Sequence, residues 1–248
     1  MFDALWLSVS PKLRRFDQRL LVQLARQTPM KHWEYHQTAD EPCSLTTATV
    51  LLHDFLKHRD RPIHLIGHGI SGVVGLYYAQ QHPERVKSLT LLSVGANPAV
   101  SWHAHYYALR QLLPCSRAMI LAQMTRLLFG PQTLPLTSAF VELLQQDLDE
   151  SLTLHSLAGH TNSLAVHAIE PPLLVCHGGL DVVLDPNMQI QWQLLFKPCD
   201  RRWTCAEGRH FFHYEYPQQV AAVIHDYWQS LNPPMPKPAS LTVSTPPC

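Results

Sequence analysis

One short stretch of the chain combines a strand, a tight turn and a helix, and it constrains the fold more than any other segment. The apolar run over residues 63–66 is typical of a buried parallel strand. Two glycines, Gly67 and Gly69, mark the turn that follows. A helical pattern then covers residues 70–82 and ends at Pro83, whose ring cannot continue a helix. A strand that turns directly into a helix is the basic unit of α/β proteins.

The same alternation of strand and helix occurs on both sides of this stretch. Apolar runs predict further strands at residues 4–7, 32–35, 86–94, 171–176 and 201–205. Helical patterns lie at residues 16–27, 44–57, 189–196 and 214–231, with Ser44 as the expected N-cap of the second. Such alternation favours an α/β fold in which parallel strands are joined by right-handed crossovers.

The alternation stops after Gly95, and this break divides the chain. Residues 96–170 have helical patterns separated by turn signals, and the segment is too long for a bare loop. We therefore predict a helical cap insertion at 96–170 between the two parts of the core, 1–95 and 171–231. The proline-rich segment 232–248 is predicted to be a disordered tail.

Composition excludes several classes of protein. The 248 residues contain 19 Lys plus Arg and 19 Asp plus Glu, and this balance argues against a nucleic-acid-binding protein. No apolar run is long enough for a transmembrane segment, and the N-terminus has no basic region typical of a signal peptide. The six cysteines form no C-x-x-C pair, so we expect reduced thiols and a cytoplasmic location.

Three motifs make the chain resemble the α/β-hydrolase superfamily. They are HLIGH at 64–68 with the helix that follows, PLLVCHGGLD at 172–181 and EGRHF at 207–211. The resemblance covers residues 4 to about 231 and implies a three-layer fold with a mostly parallel sheet of about six strands. In this superfamily the turn from strand to helix is the nucleophile elbow, written G-x-S-x-G.

The elbow of this chain departs from the family pattern at its central position. It reads Gly67-His68-Gly69-Ile70-Ser71, so Gly69 stands where the family has its nucleophilic serine. Glycine tolerates the strained backbone of such a turn, but it provides no hydroxyl group. The alternative nucleophile is Ser71, in a frame shifted by two residues. We disfavour that frame because it places β-branched Val73 where the helix packs closely on the strand.

The resemblance also implies the other catalytic positions. The acid and the histidine follow the nucleophile in chain order, and they match Asp181 and His210, with Asp185 as the fallback acid. A carboxylate behind the imidazole sets its tautomer and stabilises its charged form. The oxyanion hole would use the backbone N–H groups of Ser10 and Ile70.

The segment predicted as a cap contains two further groups of interest. Trp102, Tyr106 and Tyr107 are expected to line a pocket there. The histidines of the insertion could supply nitrogen ligands to zinc, but no cysteine or carboxylate pattern accompanies them, so we expect neither a metal nor a cofactor. The four histidines concerned are His103, His105, His155 and His160.

These observations lead to three functional hypotheses. The first is a pseudo-enzyme that keeps the hydrolase fold as a binding or assembly module without a serine nucleophile. The second is a serine-type hydrolase of a small apolar ester that uses Ser71. The third is an acid–base enzyme in which His210, backed by Asp181, acts without a nucleophile. Under the first, a protein partner or a small apolar ligand would bind at the cap, and peripheral membrane contact stays open.

Overall fold

A single six-stranded parallel sheet forms the centre of the protein. The computed structural model describes residues 2–36, 44–97, 99–151, 167–184 and 186–231. In these ranges the strands follow the order β2-β1-β3-β4-β5-β6. Their bounds are β1 Ala4–Ser8, β2 Met30–Glu34, β3 Ile63–His68, β4 Val86–Leu92, β5 Leu173–Gly178 and β6 Arg201–Cys205, and each pair is parallel. The prediction of an α/β fold with a parallel sheet of about six strands is confirmed.

Nine α-helices connect and cover these strands in the described part of the chain. They are α1 Arg14–Ala25, α2 Leu45–Leu56, α3 Gly69–Gln81, α4 Trp102–Leu112, α5 Arg117–Phe129, α6 Leu134–Glu150, α7 Pro186–Gln191, α8 Phe212–Glu215 and α9 Pro217–Ser230. The side chain of Ser44 accepts a hydrogen bond from the Thr47 N–H and so caps α2, as predicted.

Two predicted helices differ from the observed ones, and proline accounts for both differences. The segment predicted as one helix at 214–231 is divided between the end of α8, which begins earlier at Phe212, and α9, because Pro217 has no N–H to continue the hydrogen bonds of α8. The helix predicted at 189–196 begins earlier, at Pro186, where the missing N–H is not needed, and it ends in a 3-10 turn at Trp192–Leu194.

The side chains of the strands alternate between two apolar layers. In β1, Leu5 and Leu7 face the layer of α2 and α3, whereas Ala4 and Trp6 face the layer of α1 and α9. All four side chains are fully buried. Because the helices of both layers cover a purely parallel sheet, the strands are apolar on both faces. This arrangement is the three-layer architecture that the resemblance implied.

Helices α4, α5 and α6 lie between β4 and β5 in the chain, and we call them the helical insertion. They form an apolar cluster of their own with Phe16 of α1 and Phe211 after β6. The ring of Phe129 in α5 lies 4.6 Å from that of Phe16 and 4.5 Å from that of Phe211, and these contacts join the insertion to the core. The domain boundaries at 95 and 170 stay a prediction, and the tail predicted at 232–248 lies outside the described residues.

The described helices can be compared with the length and hydropathy that a membrane-spanning helix requires. No single helix is both long and apolar enough to cross a bilayer, and only α5 and α6 taken together reach the required length and hydropathy. Those two helices are bent by 103° relative to each other.

Candidate functional site at the carboxyl end of the sheet

The turn between β3 and α3 has the backbone geometry of a sharp elbow. Gly69 is the first residue of α3 and has a φ of +51°, a conformation that favours glycine. A Cβ atom placed on Gly69 would have no other heavy atom within 4 Å, so this position faces open space. A Cβ atom on Gly67 would lie 2.6 Å from the backbone nitrogen of Gly72. Gly67 therefore lets β3 and α3 approach closely, whereas glycine at position 69 is favoured only by the positive φ of the backbone.

Asp181 and His210 meet where β5 and β6 end. Asp181 Oδ2 lies 2.9 Å from His210 Nδ1, and both residues are buried. The second oxygen, Oδ1, accepts hydrogen bonds from the N–H groups of Val183 and Leu184. Burial alone would raise the pKa of Asp181, but attraction to His210 and these hydrogen bonds outweigh it, so the pKa lies below its ordinary value. Asp181 is therefore ionised, and it holds the proton of His210 on Nδ1.

The other nitrogen of His210 is buried and has no hydrogen-bond partner in the described part of the chain. Among the described residues, no group forms a hydrogen bond with His210 Nε2. With the proton on Nδ1, the neutral ring presents a lone pair at Nε2, and the imidazolium presents an N–H there. A buried nitrogen without a partner is costly, so this atom is suited to hydrogen-bond a ligand or a water molecule.

Two side chains hold the backbone of His210 in place. The Ser93 hydroxyl donates a 2.7 Å hydrogen bond to the His210 carbonyl oxygen, and His68 Nε2–H donates a second at 3.0 Å. Ser93 has a φ of +50°, which is unfavourable for a serine, and this strain brings its hydroxyl to the carbonyl. Burial, followed by repulsion from His213 and His210, holds the pKa of His68 well below its ordinary value, so His68 is neutral.

Ser71 lies in the first turn of α3, and its hydroxyl is engaged elsewhere. Ser71 Oγ accepts a 3.0 Å hydrogen bond from the backbone N–H of Val9. Ser71 is 5 % exposed. Because His210 Nε2 has no hydrogen-bond partner in the described residues, the Ser71 hydroxyl does not reach it. The structure therefore brings Ser71 to the loop after β1 and keeps it away from the imidazole.

A cavity of about 30 Å³ lies above Gly69. This volume is two to three times the ~10–15 Å³ that one water molecule requires. Ser10 and Ile70, the predicted oxyanion residues, both line it, as do Ser71 and His210. The lining is rich in serine and histidine, so the cavity is more polar than a typical apolar ligand pocket.

Only one of the three aromatic residues predicted to line the pocket does so. Trp102, the first residue of α4, lines the cavity. Tyr106 and Tyr107 do not: they lie about 6 Å further along the helix axis, and their rings contact each other at 5.0 Å. Tyr106 is buried in the apolar cluster of the insertion and packs there as a core residue.

A second buried His–Asp pair lies beside the cavity, and the sequence reasoning missed it. His103 Nε2 lies 2.9 Å from Asp147 Oδ2, and the two residues are 1 % and 0 % exposed. His103 also lines the cavity, and its Nδ1 has no hydrogen-bond partner in the described residues. The motif His103-Ala104-His105, a weak zinc-site candidate by sequence alone, is the local sequence signal of this group.

The zinc hypothesis gains no support from the described residues. They contain no group of three or more His, Cys, Asp or Glu side chains that could hold a metal ion. The imidazole of His103 faces Asp147. His155 and His160 lie outside the described residues, as does Asp185, the fallback acid.

Comparison with known sequences identifies the family. Residues 16–223 match the sequence profile of the Alpha/beta hydrolase family. The chain belongs to the alpha/beta hydrolase family. It is also similar to an uncharacterized protein of Synechocystis sp., with 44 % identity over 227 residues, which cover 92 % of this chain and 90 % of that protein. The superfamily resemblance drawn from the three sequence motifs is therefore confirmed.

Two solved structures of distant proteins share the fold of this alpha/beta hydrolase family member. A hydrolase from Pseudomonas aeruginosa has a TM-score of 0.65 and 22 % identity, covering 92 % of this chain and 90 % of that one. Potato epoxide hydrolase I has a TM-score of 0.62 and 14 % identity, covering 92 % of both chains. At these identities the likeness extends to the fold alone.

Proposed function

We propose that this alpha/beta hydrolase family member is a pseudo-enzyme that binds a small ligand beneath its helical insertion and forms no acyl-enzyme intermediate. Gly69 takes the place of the nucleophilic serine at the elbow. One observation carries the proposal: among the described residues, no hydroxyl group forms a hydrogen bond with His210 Nε2. A serine becomes nucleophilic only when an adjacent base can accept its proton.

The position of Ser71 supports the same proposal. Its hydroxyl accepts the Val9 N–H, and this leaves one fewer backbone donor for an oxyanion. To act as a nucleophile, Ser71 would have to break this hydrogen bond and move to His210. The serine-hydrolase hypothesis therefore requires that Ser71 give up its contact with the loop after β1.

The rest of the site is suited to binding. The His210–Asp181 pair and the polar cavity remain. The polar lining favours a polar ligand over the small apolar ligand expected from the sequence. The insertion also carries four exposed large apolar side chains, which would suit the assembly role through contact with a protein partner or a membrane surface. They are Leu112, Leu113, Met119 and Leu134.

A fluorophosphonate probe tests the proposal, because it labels activated serine hydroxyls. We expect no labelling of the wild-type chain or of a Ser71→Ala control. In the Gly69→Ser variant we expect labelling at position 69, because the new hydroxyl would enter the cavity that His210 lines. Labelling of Ser71 in the wild-type chain would overturn the proposal. Absence of labelling in Gly69→Ser would overturn the assignment of Gly69 to the nucleophile position.

A second candidate function follows from the buried, unpaired Nε2 of His210. An imidazole backed by a carboxylate can remove a proton from a substrate without any nucleophile. Transfer of an α-proton of a small ketone to Nε2 would form an enolate, and return of a proton would restore the ketone. The test is α-proton exchange of acetone in D₂O, followed by NMR. We expect faster exchange with the wild-type chain than with His210→Ala, and equal rates would eliminate this candidate.

A further inference from the structure

The cavity above Gly69 is bounded by two helix N-termini as well as by the sheet. Gly69, Ile70 and Ser71, the first three residues of α3, line one part of it. Ser101, the N-cap of α4, and Trp102, its first residue, line another part. The two helices are 13 and 11 residues long, so both carry a substantial dipole. Residues at the positive, N-terminal ends of two helices therefore line one cavity, which favours a negatively charged ligand there.

Two buried imidazoles line the same cavity, and each has one nitrogen without a partner. The atoms are Nε2 of His210 and Nδ1 of His103, in rings that are each 1 % exposed. The opposite nitrogen of each ring faces a buried carboxylate, Asp181 or Asp147. A carboxylate in this position stabilises the imidazolium form. When both rings are protonated, both unpartnered nitrogens become N–H donors.

We propose that the cavity is a binding site for a small monocarboxylate of the size of formate. The carboxylate would accept hydrogen bonds from both imidazolium rings and from N–H groups at the two helix N-termini. The volume of about 30 Å³ suits formate, with three non-hydrogen atoms, better than larger carboxylates. This inference rests on the proposed function, because an acyl-enzyme at the elbow would occupy the same space.

Several titratable groups near the two imidazoles determine the charge that an anion meets in the cavity. The titratable groups near the two imidazoles are Asp17 of α1, His68 of β3, His105 of α4, Asp147 of α6, Asp181 after β5 and His213 of α8. Three of these groups are carboxylates and would repel an anion. Only the imidazolium forms of His103 and His210 offer N–H donors to the anion at the two unpartnered nitrogens.

Calorimetric titration of the full-length chain with sodium formate tests the inference. We expect tighter binding at pH 6.0 than at pH 7.5, because only the imidazolium forms offer N–H donors, together with proton uptake measured in two buffers of different ionisation enthalpy. Acetate and propionate are expected to bind progressively more weakly than formate. Formate that binds no more tightly than chloride, or binding independent of pH, would overturn the inference.

Single substitutions then test whether the second imidazole and its carboxylate contribute to formate binding. His103→Gln and Asp147→Asn should each lower the affinity for formate at least tenfold, because the first removes a donor and the second removes the charge behind it. His64→Gln is the matched control: His64 is also buried and bonded, to Ser88, but it does not line the cavity, so affinity should be unchanged. Wild-type affinity in His103→Gln would overturn the role of His103.

Two further readouts keep the result interpretable. If His103→Gln does not fold, the imidazole ¹⁵N shifts of the wild-type chain provide the answer: formate should move those of His103 and His210 toward the imidazolium values, and unchanged shifts would overturn the inference. Fluorophosphonate labelling of Ser71 would overturn the proposed function whatever formate does. An unlabelled chain that does not bind formate would overturn this inference alone.

Discussion

Replacing Gly69 by alanine is the most direct test of the elbow geometry. Gly69 has a φ of +51°, and a left-handed backbone costs a non-glycine residue about 1–2 kcal/mol. No steric cost adds to this, because no heavy atom lies within 4 Å of the position of the new Cβ. We therefore expect Gly69→Ala to lower the free energy of unfolding by about 1–2 kcal/mol. For a chain of this size that corresponds to a fall of roughly 2–8 °C in the Tm.

The matched control is alanine at the other glycine of the same turn. In Gly67→Ala the new Cβ would lie 2.6 Å from the nitrogen of Gly72 and 2.7 Å from the carbonyl carbon of Ser71. Both are backbone atoms, so strand β3 and helix α3 would have to separate. We expect a loss of about 3 kcal/mol or more, or a chain that does not fold.

Urea denaturation of the wild-type chain and both variants provides the measurement. We expect a modest shift of the midpoint for Gly69→Ala with an unchanged slope, and a much larger shift for Gly67→Ala. Equal losses for the two variants would refute the reasoning, because they would mean that position 69 is as crowded as position 67. The result also bears on the labelling experiment, since Gly69→Ser is informative only if the turn tolerates a side chain.

Two further predictions concern buried polar groups near the sheet. Burial, with repulsion from Lys87, lowers the pKa of His64 to about 3, so the unfolded chain takes up a proton that the folded chain does not. As the pH falls from 6.5 toward 3, unfolding should become easier by up to about 1.4 kcal/mol per pH unit, and urea titrations at pH 7 and pH 5 should show a smaller loss for His64→Gln. Ser93→Gly and Ser93→Ala both lose the hydrogen bond to His210, but only glycine relieves the strain at φ +50°. The glycine variant should be more stable by about 1 kcal/mol, and equal midpoints would contradict the strain argument.

Much of the fold could be predicted because its signals are local. The strands are short apolar runs, and their parallel arrangement follows from the alternation with helices. Strand β6 at Arg201–Cys205 has the predicted bounds. Pro217 marks the start of α9 in the sequence itself. The helical pattern across 214–231 is nevertheless continuous, so it does not indicate that α8 and α9 are separate helices. The periodicity of apolar residues indicates which face of a helix is buried, but it does not indicate where one helix ends and the next begins.

The site was harder to predict because its decisive contacts join distant segments. The pairing of Asp181 with His210 could be predicted because the family resemblance supplies both positions. His103 and Asp147 are 44 residues apart in a helical insertion, where periodicity only predicts burial. The hydrogen bond from Val9 to Ser71 spans 62 residues, and no local pattern encodes it. The positive φ of Ser93 could not be predicted from the sequence either, because serine is not a residue that indicates a left-handed backbone.

The number of buried carboxylates around the cavity supports the proposal that a ligand binds at this end of the sheet. Asp17 accepts hydrogen bonds from Trp6 and His213, and it joins Asp147 and Asp181 as a third carboxylate paired with a buried histidine. Removing a carboxylate from water costs several kcal/mol, and well-packed apolar residues in place of a buried ion pair are often as stable or more so. Stability alone therefore does not explain three such pairs. A ligand that uses the free imidazole nitrogens would explain why polar groups remain at a position where an apolar core could have formed.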